Sequence, residues 1–268
     1  MCRPVTAMRN GRSCAGTSTQ ARLGRVTPPP GRALVEICVG DAASAVAAAD
    51  AGADRLELCA DLGAGGTTPS LGAVRQVLAR TTVPVRVMVR PRGGGFRYDT
   101  TELAVMLDDV AALRESFAAD RDRLGVVTGV LTGDGAVDED ATARLVEAAG
   151  PLPVVFHKAF DEVPEQARAL ETLADLGVAA VLTSGGAADA LTGAPRLAEL
   201  REQAAGRLDL VAGGGIRAHN VAEVIRRSGV DQVHLRAPAT EGWPEATDPA
   251  LVREVLAAVE ASIRSRSS

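Results

Sequence analysis

Two copies of the pattern Glu-x-Cys carry side chains that bind metals or transfer protons. Val35-Glu36-Ile37-Cys38 and Leu56-Glu57-Leu58-Cys59 each place an acid and a thiol two residues apart. Because side chains alternate along a strand, the acid and the thiol of each copy share one face. Two thiols on neighbouring strands offer Cu(I) a soft site of low coordination number, whereas a closed zinc site wants four ligands. The spacing alone leaves the cysteines as free thiols, metal ligands or small core side chains.

Two arginines follow the same rule of alternation. Arg86 and Arg90 alternate with three valines, so that both side chains point to the interior side of their strand. Charged groups are rarely buried without partners, and these arginines with Glu36 and Glu57 therefore predict a polar site inside the fold. The alternative is a salt-bridge network that serves structure only. If the protein is an enzyme, its acid–base candidates are Glu36, Glu57 and His157.

Glycine-rich segments follow two later apolar runs and predict an anion site. In parallel barrels, loops after the seventh and eighth strands hold phosphate on backbone N–H groups, and glycine permits the close approach. The alternative is that these glycines only form tight turns. The residues predicted to bind phosphate or another anionic group are Gly213, Gly214, Gly215, Ser184, Arg90 and Arg92.

The elements that would position these groups alternate regularly from residue 33 onward. Strands are predicted at 34–39, 55–59, 83–90, 124–131, 153–160, 179–183, 208–212 and 232–235. Helices are predicted near 41–52, 70–80, 101–118, 138–149, 163–176, 188–204, 218–228 and 248–263. Eight strand–helix units favour a single closed (β/α)₈ TIM barrel over 33–265. A doubly wound open sheet is the alternative, but the glycine fingerprint after its first strand is missing.

A lysine beside His157 raises the question of Schiff-base chemistry. Lys158 follows His157 within the fifth predicted strand. If His157 points inward, alternation predicts that Lys158 points away from the barrel interior.

Composition excludes several classes of function. The net charge of −5 and only six aromatic residues argue against a nucleic-acid partner. No stretch of about 18 apolar residues predicts a transmembrane helix. Residues 1–32 hold six arginines and no acid, which leaves 23 basic and 34 acidic residues, or −11, beyond them. We interpret 1–32 as a disordered basic leader or a start codon placed too far upstream, with a transit peptide as the alternative.

Several segments of this chain resemble the CutC family, whose members are named copper homeostasis proteins. The resemblance runs from about residue 33 to 240. The segments that carry it are Leu34–Val39, Gly52–Cys59, Gly65–Gly72, Val89–Gly94, Val127–Leu131, Phe156–Asp161 and Val181–Gly185. Taken together these motifs are specific for the family, although each of them alone is weak.

The resemblance implies a single barrel, a cytoplasmic protein and a role in binding copper through Cys38 and Cys59. This chain also departs from the family pattern at several positions. Arg97 stands in a loop where members often carry a cysteine, and Lys158 stands where the pattern has arginine. The small hydroxyl residues usual after His234 are Leu235 and Arg236 here.

Three hypotheses about function follow. The first is a cytoplasmic Cu(I)-binding protein that uses Cys38 and Cys59, with Met88 as a weak third ligand. The second is a TIM-barrel enzyme of the isomerase, lyase or aldolase type, acting on a small phosphorylated metabolite. The third is a scaffold whose interior network is structural. The expected partners are a copper ion or a small anionic metabolite, with no nucleic acid and no membrane; a homo-oligomer is left open.

Overall fold

The computed structural model describes Pro29, residues 31–240 and residues 246–264. The predicted leader, 1–32, lies outside the described residues except for Pro29 and residues 31 and 32, and its boundary stays a prediction. Arg32 already contacts the folded part, because its guanidinium makes two hydrogen bonds of 2.6 and 2.7 Å with the Asp54 carboxylate. Among the described residues, no helix combines the length and apolar character needed to cross a bilayer.

Eight parallel strands form a closed barrel in sequence order. Their bounds are β1 Leu34–Val39, β2 Arg55–Leu58, β3 Val85–Met88, β4 Leu124–Thr128, β5 Val154–Phe156, β6 Ala180–Thr183, β7 Asp209–Gly213 and β8 Gln232–Leu235. Strand β8 pairs with β1, so that Glu36 stands beside His234 and the sheet has no edge. The predicted (β/α)₈ barrel is confirmed, and the doubly wound alternative is excluded.

Each strand is followed by an α-helix of the outer ring. The bounds are α1 Ala42–Asp50, α2 Leu71–Arg80, α3 Thr100–Ser116, α4 Glu139–Ala149, α5 Gln166–Asp175, α6 Ala194–Ala204, α7 Val221–Ser228 and α8 Pro249–Arg264. Polar residues start several of them, since a side-chain oxygen satisfies a free N–H of the first turn. At α3, Asp99 and Glu102 form a reciprocal capping box.

Side-chain alternation divides the barrel into two apolar layers. Val35, Ile37, Leu56 and Leu58 belong to the layer between the strands and the helices, as alternation predicts. A second, smaller cluster fills the interior with Cys38, Cys59, Leu62, Met88, Val127, Val155, Ala180, Leu182 and Val211. The two cysteines therefore lie inside the barrel.

Strands β3, β4 and β5 are shorter than predicted. The largest difference is at β5, which ends at Phe156 instead of residue 160. His157 caps a short 3₁₀ helix, Lys158–Glu162, by accepting a hydrogen bond from the Ala159 N–H at its Nδ1 atom. Alternation consequently stops at His157 and predicts nothing about the residues after it.

Candidate functional site

A buried ion cluster surrounds Glu36 inside the barrel. Its carboxylate accepts hydrogen bonds from Arg55 Nε, from Arg86 at 3.2 Å and from His234 Nδ1 at 2.8 Å. Arg55 also donates to Gln232 at 2.9 Å. Glu36 and Arg55 are each only 1% exposed. Three cationic side chains, those of Arg55, Arg86 and His234, surround the carboxylate of Glu36. This carboxylate is therefore the negative charge that compensates its neighbours.

The second acid, Glu57, belongs to a thiol cluster next to this ion cluster. The sulfurs of Cys38 and Cys59 are 4.0 Å apart, and Cys59 Sγ lies 3.6 Å from Glu57 Oε2. His234 Nε2 lies 3.7 Å from the same carboxylate oxygen and so connects the two clusters. Ligand atoms of Cys38, Glu57 and Cys59 all lie within 4.8 Å of one another. The predicted convergence of the two Glu-x-Cys strands thus brings three metal-binding groups together.

Protonation differs sharply between the two thiols. The hydrogen bond from Cys59, helped by the nearby His234, outweighs burial and lowers the pKa of Cys38 to about 5. The same contact with the Cys38 thiolate, together with burial, raises the pKa of Cys59 well above its ordinary value. At neutral pH the pair therefore holds one thiolate and one thiol, and the thiolate is the form that binds metals.

The acids of the two clusters also differ. Burial alone would raise the pKa of Glu36, but Arg55, Arg86 and His234 hold this pKa well below its usual range. Burial raises the pKa of Glu57 to about 8, and the Cys38 thiolate adds to the shift. Burial alone would lower the pKa of His234, but Glu57, Cys38 and Glu36 raise it well above its ordinary value. Glu36 is thus a carboxylate at neutral pH, whereas Glu57 is mostly protonated.

Arg90 and Arg92, predicted to bind an anion, are engaged with protein groups. Arg90 is 5% exposed and donates to the carbonyl oxygens of Ala64, Gly66 and Gly94. Arg92 forms an ion pair with Glu102 at the surface. Their role as anion ligands stays a prediction, and their observed contacts hold loops above β2 and β3 in place.

His157 lies at the end of β5 and is 4% exposed. Its ring lies 4.8 Å from the ring of Phe96, and its buried Nε2 atom has no hydrogen-bond partner among the residues that the structure describes. Burial and the charge of Arg90 lower the pKa of His157 to about 3, so its ring is neutral. Since Nδ1 accepts from Ala159, the proton resides on Nε2. Catalysis by His157 stays a prediction, and this N–H is a buried donor without an acceptor.

The prediction that Lys158 is a strand residue pointing away from the barrel interior is wrong, because β5 ends before it. Its Nζ atom donates to Asp161 at 2.6 Å and to Ser184 Oγ at 3.2 Å, above the carboxyl ends of β5 and β6. A Cβ atom added to Gly214 would lie only 3.3 Å from this ammonium. The chain turns into the 3₁₀ helix after β5 and thereby redirects Lys158 to the mouth of the barrel.

The glycines after β7 differ in role. Gly213 belongs to the strand, and a Cβ there would lie 2.6 Å from Leu182 Cδ1, so a larger residue would have to displace this leucine side chain. Gly214 and Gly215 have φ angles of 109° and 67°, which favour glycine. Ser184 is buried, and its single hydroxyl hydrogen has two acceptors within reach, Asp161 Oδ2 at 3.0 Å and the Ala187 carbonyl oxygen at 2.8 Å. These residues lie together at the mouth, while their binding of an anion stays a prediction.

Sequence reasoning missed two members of the ion cluster. Arg55 lies two residues before Glu57, and Gln232 lies two residues before His234, each on the interior face of its strand. Alternation was therefore the signal that could have found them. Gln232 also donates to Asp209 at 3.0 Å and extends the network across β7 and β8.

Together, this fold and site define a class: an eight-stranded parallel barrel with a buried cysteine pair beside acid groups at its mouth. The chain belongs to the CutC family, whose model matches residues 33–239. It is 50% identical to a CutC family protein of Mesorhizobium japonicum over 204 residues, or 76% of this chain and 77% of the relative. It is 43% identical to the human copper homeostasis protein cutC homolog over 231 residues, or 84% and 82%.

Solved structures agree with this assignment. The putative copper homeostasis protein CutC from Streptococcus agalactiae superposes with a TM-score of 0.69 at 33% identity, covering 75% of this chain and 97% of that one. N-(5'-phosphoribosyl)anthranilate isomerase from Pyrococcus furiosus superposes with a TM-score of 0.53 at 17% identity, covering 85% and 99%. The second likeness shows only the barrel fold.

Proposed function

We propose that this protein binds one Cu(I) ion through Cys38 and Cys59 as part of copper homeostasis in the cytoplasm. The observation that carries the proposal is the separation of 4.0 Å between the two buried sulfurs. Thiolate is a soft ligand that selects Cu(I). Unpaired buried cysteines also fit the reducing cytosol.

The spacing of the sulfurs suits a metal ion between them. With a metal–sulfur bond of about 2.3 Å, as zinc makes with thiolates, two sulfurs of a trigonal centre lie about 4.0 Å apart. Met88 belongs to the same interior cluster and remains our candidate for a weak third ligand. The Glu57 oxygen, 3.6 Å from Cys59 Sγ, is a harder and mostly protonated alternative.

Protonation of the pair favours capture of a cation. Cys38 supplies a thiolate at neutral pH, because its pKa lies at about 5. Cys59 must lose its proton to become the second thiolate, and this proton leaves to solvent because Glu57 is itself mostly protonated at neutral pH. Binding of Cu(I) at neutral pH is therefore expected to release about one proton for each ion bound.

A disulfide is a less suitable use of the same two sulfurs. Cys38 stands in register with Glu57, so that Cys59 lies two residues further along the chain, one residue past the end of β2. The Cα atoms of Cys38 and Cys59 are offset by two residues along the strand direction and by one strand spacing across the sheet. Together these offsets separate the two Cα atoms by about 8 Å. Disulfides need Cα atoms closer than about 7 Å.

We therefore expect a mild oxidant to leave Cys38 and Cys59 unlinked in the folded protein. The measurement is alkylation of the oxidised protein followed by mass spectrometry, in a variant with Cys2→Ser and Cys14→Ser. Two alkylated thiols are expected in native protein, and the unfolded variant supplies the control in which the link can form. A Cys38–Cys59 disulfide formed in the folded state would show that the strands move enough to close the gap.

The direct test is an anaerobic Cu(I) titration against a high-affinity chelator. The Cys2→Ser and Cys14→Ser variant removes the cysteines of the leader and leaves only the barrel pair. It is expected to take one Cu(I), with two sulfur ligands visible by X-ray absorption. Uptake that disappears with the leader cysteines, or a bound ion without two sulfur neighbours, would overturn the proposal.

A further inference from the structure

The chain contains a single lysine, which lies at the mouth of the barrel. The other 28 basic residues of the sequence that are lysine or arginine are all arginines, so Lys158 is its single lysine. Its side chain is 43% exposed, and its ammonium is held by Asp161 and Ser184. The proposed copper site on β1 and β2 does not use it.

The glycine backbone at Gly214 lies beside this ammonium. Nothing in the part of the chain that the structure describes accepts a hydrogen bond from the N–H groups of Gly214 or Gly215. A Cβ at Gly214 would lie 3.2 Å from Ser184 Cβ and 3.3 Å from Lys158 Nζ, so the cation rests against a backbone that only glycine leaves open. Consecutive free N–H groups with a nearby cation form an anion-binding concavity.

The carboxylates near this position are themselves engaged. Asp161 accepts hydrogen bonds from Thr183 Oγ1 and the Gly186 N–H as well as from Lys158. Asp189 accepts the Thr192 N–H at 2.8 Å. Asp161 thus fixes the lysine in place, and the lysine retains a hydrogen that neither of its two described acceptors takes.

A further donor without an acceptor stands at the same strand end. His157 precedes Lys158, and within the described part of the chain its buried Nε2–H has no acceptor. Its ring packs against Phe96 and against the backbone at Gly129, which follow β3 and β4, so this donor faces another part of the mouth than Lys158 and the glycines do. Buried donors of this kind call for an acceptor from a ligand or from water.

We infer that the mouth of this barrel binds a phosphate group, as a small phosphate monoester, between Lys158 and the N–H groups of Gly214 and Gly215. A phosphate offers several acceptor oxygens and up to two negative charges, which fits one cation and several neutral donors. The site lies above β5 to β7, whereas the cysteine pair belongs to β1 and β2. A molecule bound there would lie on the β5–β7 side of the mouth and would not occupy the thiol cluster.

Isothermal titration of the copper-free protein with glycerol 3-phosphate, inorganic phosphate and succinate tests this inference. Lys158→Gln is expected to weaken binding of both phosphate probes by about tenfold or more, and Lys158→Arg to retain most of it. Arg226→Gln is the matched control, since it removes another cation paired with an acid three residues away, and should bind as the wild type does. Succinate is expected to bind more weakly than either phosphate probe.

The single lysine allows a second readout. Acetylation of Lys158, followed by mass spectrometry, should slow when glycerol 3-phosphate is present, and the N-terminal amine serves as the internal control. Equal binding by wild type and Lys158→Gln, no protection, or succinate bound as tightly as phosphate would overturn the inference. The variant Cys38→Ser with Cys59→Ser should bind phosphate normally, which keeps this test independent of the copper proposal.

Discussion

Replacing Cys38 and Cys59 together by serine is expected to abolish tight Cu(I) binding while the barrel remains folded. Hydroxyl groups are hard, weakly acidic donors and do not replace thiolates toward Cu(I). Partners that merely orient metal ligands change affinity by about 10–100-fold, so loss of both ligands should cost at least about a thousandfold. Competition with a chelator under anaerobic conditions measures the change.

The controls for this variant separate ligand loss from unfolding. Both cysteines are buried in the interior cluster, where a serine hydroxyl lacks an apolar fit. Cys38→Ala with Cys59→Ala avoids the buried hydroxyl and should lose Cu(I) equally. Circular dichroism and the melting temperature report the fold. If either double variant competes for copper as well as the wild type does, the two cysteines are not the ligands.

Single variants should be unequal because the two thiols differ. Cys38 supplies the thiolate at neutral pH, and Cys59 stabilises it by its hydrogen bond. Without Cys59, the pKa of Cys38 loses its main lowering contact and should rise. The reactivity of Cys38 toward iodoacetamide as a function of pH, in Cys59→Ala, measures that change.

Alternation along β1 and β2 carried most of the site prediction. Glu36 and Cys38 share the interior face because β1 is regular over six residues, and Ile37 then points to the helices. The same rule also reaches Arg55, the first residue of the predicted strand 55–59, but it was not applied to this residue. Alternation could not predict which charged side chains form pairs. These pairs depend on the register between β1 and β8, which places Glu36 beside His234.

Sequence reasoning was least informative where strands give way to loops. The observed partners of Arg90 are backbone carbonyls, which leave no trace in the residue types, and its role as an anion ligand stays a prediction. Lys158 was expected outside because β5 was taken to continue to residue 160. The 3₁₀ helix that redirects this lysine begins with a cap by His157, and a histidine has no strong preference for that position.

Glu36→Gln should cause the largest loss of stability among single changes in the barrel. The carboxylate is 1% exposed and faces Arg55, Arg86 and His234. A neutral amide leaves these cations without their common counter-charge in a place that water does not reach. Breaking a buried ion pair from one side costs about 3–5 kcal/mol in the free energy of unfolding. Urea denaturation at neutral pH measures this loss.

The pH dependence of this loss identifies its cause. The pKa of Glu36 is lowered in the folded state, so its charge stabilises the protein above its ordinary pKa, and this contribution disappears as the pH falls through the folded value. The difference between wild type and Glu36→Gln should therefore shrink in acid. Glu223→Gln, which removes an exposed partner of Arg226, should change the stability little at any pH. A deficit for Glu36→Gln that stays constant down to acid pH would indicate a packing defect, and the carboxylate would then not be the group that neutralises the three cations.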